Sequence, residues 1–279
     1  MDSVSIDKYL VTYDFTDVSK DALQYALKLA KTAGGGEILL GHIIKNKGDN
    51  TLAEQKLADV VNSLSAEDQA MCSYKVMEGD IFHDIDKMAK LTDASVIVMG
   101  THGASGLQKV FGSNALKVVS SSSVPFIVVQ QDIKDSEIND IVMPFSFQRE
   151  SVQVTQFAAS LAEKFDATVH LVGYRGNDEW LLRDMKVNEK IVHDHLTEHG
   201  IKHDTHILPG NKSFEEELLE YAASIDADVI AASYFVKGWL SYYHSFLDTM
   251  MVNKHKIPIL TINAPEVMTL NSRFTFITG

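Results

Sequence analysis

The chain has 279 residues, of which 45% are hydrophobic and 23% charged, a balance that suits a globular protein with buried cores and excludes an extended disordered chain. A formal charge of −13 removes the basic surface that general nucleic-acid binding needs, although backbone N–H groups can still hold one small anion. A single cysteine, Cys72, excludes an internal disulfide framework and a cysteine-rich zinc module, and no apolar run reaches membrane-spanning length. The segment from Met1 to Asp7 lacks the apolar core of a signal peptide, so a cytoplasmic location is the default expectation.

Taken in order, Lys8 to Tyr13 predicts a first strand. Ser19 then caps a helix running to Lys31, whose Ala22, Leu23, Ala26, Leu27 and Ala30 share one face. Three glycines, Gly34 to Gly36, end it, and Glu37 to Ile44 predicts a second strand, completing a βαβ unit. A helical pattern covers Asn50 to Glu67, followed by a strand at Ser73 to Met77 and a helix bearing Ile81, Ile85 and Met88. Val96 to Met99 reads as a fully buried strand, Ser113 to Ser120 as a helix, and Val124 to Val129 as a fifth strand with Pro125 near its start, where a missing donor is tolerable. Gln130 to Asn139, polar and acidic, is the expected linker.

The series then restarts. Asp140 to Phe145 repeats the first strand and Val152 to Lys164 the first helix. Ala167 to Val172, Trp180 to His199, Lys202 to Leu208 and Phe214 to Ile225 continue it. Val229 answers Val96 and Pro258 answers Pro125 at the same offset of 133 residues. The expected fold is therefore α/β, with two tandem doubly wound parallel sheets. The expected domains are 1–130 and 138–263, followed by an extension at 264–279 that carries Met268, Phe274 and Phe276.

In such folds ligands bind beyond the carboxyl ends of the strands, where Thr12 to Thr16, Gly41 to Ile44, Met77 to Asp80 and Gly100 to Ser113 converge in the first half. After the buried strand come Gly100, Gly103 and Gly106, and then Gly112-Ser113-Asn114 at a helix start. Glycines permit close backbone approach, and a helix N-terminus offers free N–H groups to an anion. An ordinary βα loop with Ser113 as a plain cap stands as the other reading. Asp14 has two readings as well: acceptor for an adenine amino group or ribose hydroxyl, or a turn residue at a helix entry. Asp80 fits a magnesium-bound water or a helix cap, and His102 has no paired carboxylate to make it a general base.

The segment Gly100-x-x-Gly103, eight residues, then Gly112-Ser113 resembles the nucleotide-binding signature of the universal stress protein family, whose spacing at that point is nine. Val11, Asp14 and Phe15 also match that family's first-strand motif, with Thr16 in place of a serine. The resemblance implies an adenine nucleotide alpha hydrolase-like, Rossmann-type three-layer sandwich and two halves arranged as a pseudo-dimer. It further implies a stress-related regulatory role in which ATP or another adenine nucleotide, with or without magnesium, binds the first half, and any hydrolysis is slow. By the same resemblance Asp14 contacts the adenosine, the backbone at His42 and Ile43 borders the adenine, and Gly100, Gly103, Gly112, Ser113 and Asn114 serve ribose and phosphates. A nucleotide-independent interaction protein on the same scaffold is the alternative.

The second half departs from this pattern. Ser146 stands where Asp14 would, and Ser233-Tyr-Phe-Val236 replaces Gly100-Thr-His-Gly103, so nucleotide binding is not expected there. Tyr234, Phe235, Trp239, Tyr242, Tyr243 and Phe246 can fill the vacant pocket or stack on another ligand, and packing in the core or at a domain contact is the expectation. His193, His195, His199, His203 and His206 lack recognised zinc spacings and are expected to form a polar face.

Overall fold

A computed structural model describes residues 6–101, 112–131, 137–146, 148–175, 179–235 and 242–264. In the first half the strands are β1 (Lys8–Thr12), β2 (Glu37–Ile44), β3 (Cys72–Glu78), β4 (Val96–Thr101) and β5 (Phe126–Gln130). They alternate with α1 (Asp17–Thr32), α2 (Asn50–Asn62), α3 (Ala66–Met71), α4 (Ile81–Leu91) and α5 (Gly112–Ser120). The second half repeats the order with β6 (Asp140–Pro144), α6 (Thr155–Phe165), β7 (Thr168–Tyr174), α7 (Glu179–Glu198), β8 (His203–Leu208), α8 (Phe214–Ser224), β9 (Val229–Tyr234), α9 (Tyr242–Met251) and β10 (Ile259–Asn263).

Two local expectations need correction. The pattern read as one helix over Asn50 to Glu67 is two, because Ser63 closes α2 and the Ser65 side chain accepts the Asp68 N–H to open α3 at 3.2 Å. The cap of α1 is Thr16, which accepts the Ser19 N–H, while the Ser19 hydroxyl donates back to the Thr16 carbonyl at 2.9 Å. Ser19 thus sits inside the first turn.

All ten strands form one sheet in the order β3-β2-β1-β4-β5-β10-β9-β6-β7-β8. Within each half the pairing is parallel, and the halves meet through an antiparallel β5–β10 ladder with Ile127 opposite Leu260. Alternate residues feed two cores. Tyr9 and Val11 join α1, α2, α6 and α7 on one face, and Leu10 joins α4, α5, α8 and α9 on the other, giving three layers that run through both halves.

The junction is tied by polar groups as well as by the ladder. Gln130 donates to the Asn253 carbonyl at 3.0 Å and Asn263 to the Ser120 carbonyl at 2.6 Å. Asn253 is itself buried, its amide donating to Met250 and Ile257 carbonyls at 2.8 Å each and its oxygen accepting the His255 and Ile257 N–H groups. Removing that side chain takes the partner from three backbone groups at the turn into β10, the Ile257 carbonyl and the His255 and Ile257 N–H groups, while the Met250 carbonyl keeps the Asn253 N–H. Asn253→Ala is therefore expected to cost about 3 kcal/mol. The effect should be read as a lowered urea midpoint at unchanged slope. A shift below about 0.5 kcal/mol, the size of an ordinary surface substitution, would show that the turn is held by other means.

Candidate functional site

Strand order reverses at β1, which lies between β2 and β4. The crevice beyond the carboxyl ends of β1 and β4 is thus a switch point, the place where such sheets take ligands. The β1–β2 ladder ends at Thr12 with Gly41, whereas the β2–β3 ladder runs on to Ile44 with Glu78. The β1-facing backbone groups of Ile43, next after Gly41 on that side of β2, consequently extend past the end of β1, while those of His42 face β3. The Ile43 side chain packs on the second core, so it is the backbone of this residue that faces the opening.

The chain leaving β1 is held in a tight turn. The Tyr13 N–H donates to the Gly41 carbonyl at 2.9 Å, and the Tyr13 carbonyl meets His42 Nδ1 at 2.6 Å. One oxygen of Asp14, exposed, accepts both the N–H and the hydroxyl of Thr16. The other has no protein partner among the described residues. Between them Phe15 adopts φ +67°, a left-handed conformation rare for a bulky residue. Its ring is wedged edge-on between Tyr13 at 5.5 Å and His42 at 4.9 Å, with Lys56 Nζ 5.6 Å from its centroid. Strain of this kind is kept where surrounding contacts over-determine it, commonly at functional sites. The sequence motif marks Phe15 but not its left-handed turn, because a φ angle leaves no mark on hydrophobic periodicity.

Gly100 lies at the β4 side of the crevice, and its lack of a side chain has a cause inside the protein. A Cβ there would stand 2.2 Å from the Val18 carbonyl oxygen and 2.5 Å from its carbon, so the first turn of α1 requires glycine at this position. Gly103, with His102 and Gly106, lies outside the described residues. Helix α5 begins at Gly112, and the Ser113 and Asn114 side chains also lie outside them. Asp80 is a helix cap: its Oδ1 accepts the Phe82 N–H at 2.8 Å, and Asp84 accepts the Asp80 N–H at 2.8 Å. Burial pushes the Cys72 thiol up to about 11, which keeps it protonated and unreactive at neutral pH.

In the second half, a cavity of about 700 Å³ opens at the matching switch point beside β6 and β9. Phe235 and Phe246 are buried in its walls, in line with the packing expected of them, and leave the cavity unfilled. Trp239 lies outside the described residues, as do the Tyr242 and Tyr243 side chains. Near the cavity, Glu217 accepts the N–H groups of Gly210, Asn211 and Lys212 at 2.9, 2.5 and 2.9 Å. It stands 133 residues after Asp84, which closes the equivalent loop in the first half. The histidines pair ring to ring, His193 with His203 and His195 with His199, and no group able to hold a metal occurs among the described residues. Nor is any described helix long and apolar enough to cross a membrane.

Fold and site define a class: a doubly wound α/β protein whose element order repeats, with a strand-order switch in each half and a cavity at the second. Residues 5–130 match the model of the Universal stress protein family. Over 149 residues it is 26% identical to a universal stress protein of Methanocaldococcus jannaschii, covering 46% of this chain and 84% of that one. A universal stress protein from Archaeoglobus fulgidus DSM 4304 aligns over 95% of this chain and 100% of its own, at 18% identity and a TM-score of 0.68. Another from Archaeoglobus fulgidus, solved in complex with dAMP, aligns over 46% of this chain and 100% of its own at 20% identity and a TM-score of 0.37.

Two outcomes follow from these contacts. Gly100→Ala is expected to destabilise the fold by about 2 kcal/mol, because backbone at Val18 has no rotamer by which to yield. Thermal unfolding unchanged from the parent would show that α1 shifts freely. For Glu217, burial would raise its pKa, but the three backbone donors outweigh it and hold the carboxyl below the ordinary glutamate range. A depressed folded pKa gives stability that is complete above the unfolded value of about 4.3 and is lost as pH falls through the folded value. Urea midpoints of the parent should therefore fall more steeply between pH 6 and pH 3 than those of Glu217→Gln. Parallel curves would remove Glu217 from the acid transition.

Proposed function

We propose that the first half binds ATP or another adenine nucleotide as a regulatory ligand, in the crevice between Asp14 and the end of β4. The observation that carries this reading is the bare β2 edge that opens after His42, at the Ile43 backbone, together with an Asp14 oxygen that has no protein partner among the described residues. A purine needs backbone donors and acceptors along one edge, and a ribose hydroxyl or exocyclic amine needs an acceptor such as a carboxylate. The segment from Gly100 to Gly103 and the α5 N-terminus at Gly112, Ser113 and Asn114 are assigned to ribose and phosphates, with N–H groups as donors. Domain limits of 1–130 and 138–263 are part of the same reading, supported by the constant offset between β4 and β9 and between β5 and β10.

No described residue supplies an activated nucleophile or a paired base at the crevice. The role assigned is ligand-dependent regulation in a stress-related setting, with hydrolysis slow if present. Calorimetry on nucleotide-stripped protein with ATP, ADP and AMP tests it. One site per chain is expected, weakened at least tenfold by Asp14→Ala through loss of a charged hydrogen bond and by Gly103→Val for nucleotides with phosphate chains. Binding that survives both substitutions would place the nucleotide elsewhere. No binding at all would favour a nucleotide-independent interaction protein.

A further inference from the structure

The second-half cavity has its own chemistry, distinct from that of a phosphate site. At about 700 Å³ it has the size of sites for drug-sized ligands. Its apolar wall is continuous, because the rings of Tyr174 and Phe214 meet at 5.5 Å and those of Phe214 and Phe246 at 5.8 Å, with Phe145 and Phe235 also lining it.

Most of the polar groups around it are already committed. The loop N–H groups, of the kind that cradle a phosphate elsewhere, donate to the Glu217 carboxylate. Lys212 is paired with Glu216 and Glu220. The Ser233 hydroxyl accepts the Val154 N–H at 3.0 Å, and Ser146, at the position of Asp14, accepts the Gln148 N–H at 3.1 Å. Two groups remain. Among the described residues the exposed Arg175 guanidinium makes no ion pair and Gln148 Oε1, shut off from solvent, has no hydrogen-bond partner.

We propose that this cavity binds an amphipathic monoanion, a molecule with one acidic head and an apolar body. The apolar body lies against the aromatic wall, where its burial supplies most of the affinity. The acidic head pairs with Arg175, whose planar donors match a carboxylate. A nucleotide does not suit the site: its phosphates find the backbone donors spent, and its ribose finds Ser146 in place of a carboxylate. The proposal is independent of nucleotide binding in the first half.

The test uses the full-length protein and the fluorescent probe 1-anilinonaphthalene-8-sulfonate, an aromatic body with one anionic group. One saturable site per chain is expected, with dodecanoate displacing the probe. Arg175→Gln should weaken dodecanoate about tenfold, the scale of one charged hydrogen bond, while leaving displacement by neutral dodecanol unchanged. Gln148→Glu, which keeps the shape and adds a negative charge, should weaken dodecanoate and spare dodecanol in the same way. Melting curves matched to the parent would confirm that both variants fold. Absence of saturable binding would overturn the proposal, as would equal losses for the acid and the alcohol. Displacement of the probe by ATP would overturn it too, making the cavity a second nucleotide site.

Discussion

The antiparallel pairing of β5 with β10 is the constraint on which the rest of the molecule depends. Both strands are buried along their whole length, so neither could stand as a sheet edge without exposing apolar side chains and unpaired backbone groups together. Joining them abolishes two edges at once and lets each core layer run from one half into the other. The pairing also sets direction. Strands within a half are parallel and the joint is antiparallel, so the carboxyl ends of the two halves open toward opposite ends of the sheet. The two openings are therefore separate sites by topology, and anything one tells the other must cross the junction held by Gln130, Asn253 and Asn263.

Duplication preserved the architecture while changing how each contact is made. At the foot of β1 and β4, Ser95 accepts the Lys8 N–H at 3.0 Å. In the second half Asp228 accepts the N–H groups of Asn139 and Asp140 at 2.8 and 3.1 Å. At the other end of these strands, Gly100 lies against the Val18 backbone with no room for a Cβ. Its counterpart Ser233 faces a chain that reaches α6 through a 3-10 turn at Arg149–Val152, and its hydroxyl takes the Val154 N–H. One half solves the strand–helix contact by removing a side chain and the other by hydrogen bonding to one. Loss of the glycine thus did not require loss of the fold, and it changed what the crevice can hold.

Much of this was legible in the sequence because it depends on period and repetition. Apolar runs placed β4 and β9, a constant offset paired them, and turn residues marked most boundaries to within a few positions. What escaped depends on choices between chemically similar neighbours or on distant residues meeting. Thr16 and Ser19 are both good caps, and the winner is set by the Asp14 turn that aims Thr16 at the helix. The break between α2 and α3 rests on Ser65, one serine among several. The antiparallel joint has no signature beyond two strands that are apolar throughout. The second-half cavity is built from β6, β7, β9, the loop after β8 and two helices, and no linear pattern reports that their aromatic rings line an opening and do not fill it.

The strained turn at Phe15 brings these strands of argument together. A bulky residue held at positive φ stores free energy, and here three contacts hold it: the Asp14–Thr16 turn, the Tyr13 ring and the His42 ring. His42 is fixed in turn by the Tyr13 carbonyl, so β1 and β2 share one polar and aromatic clamp at the mouth of the first crevice. A ligand that touches Asp14 acts on the same turn that caps α1, and α1 packs its Val18 backbone directly on Gly100 of β4. Strand β4 pairs with β5, and β5 is the junction. The path from crevice to second half therefore consists of adjacent, close-packed backbone. A displacement of α1 at its first turn reaches β4 without passing through any mobile side chain.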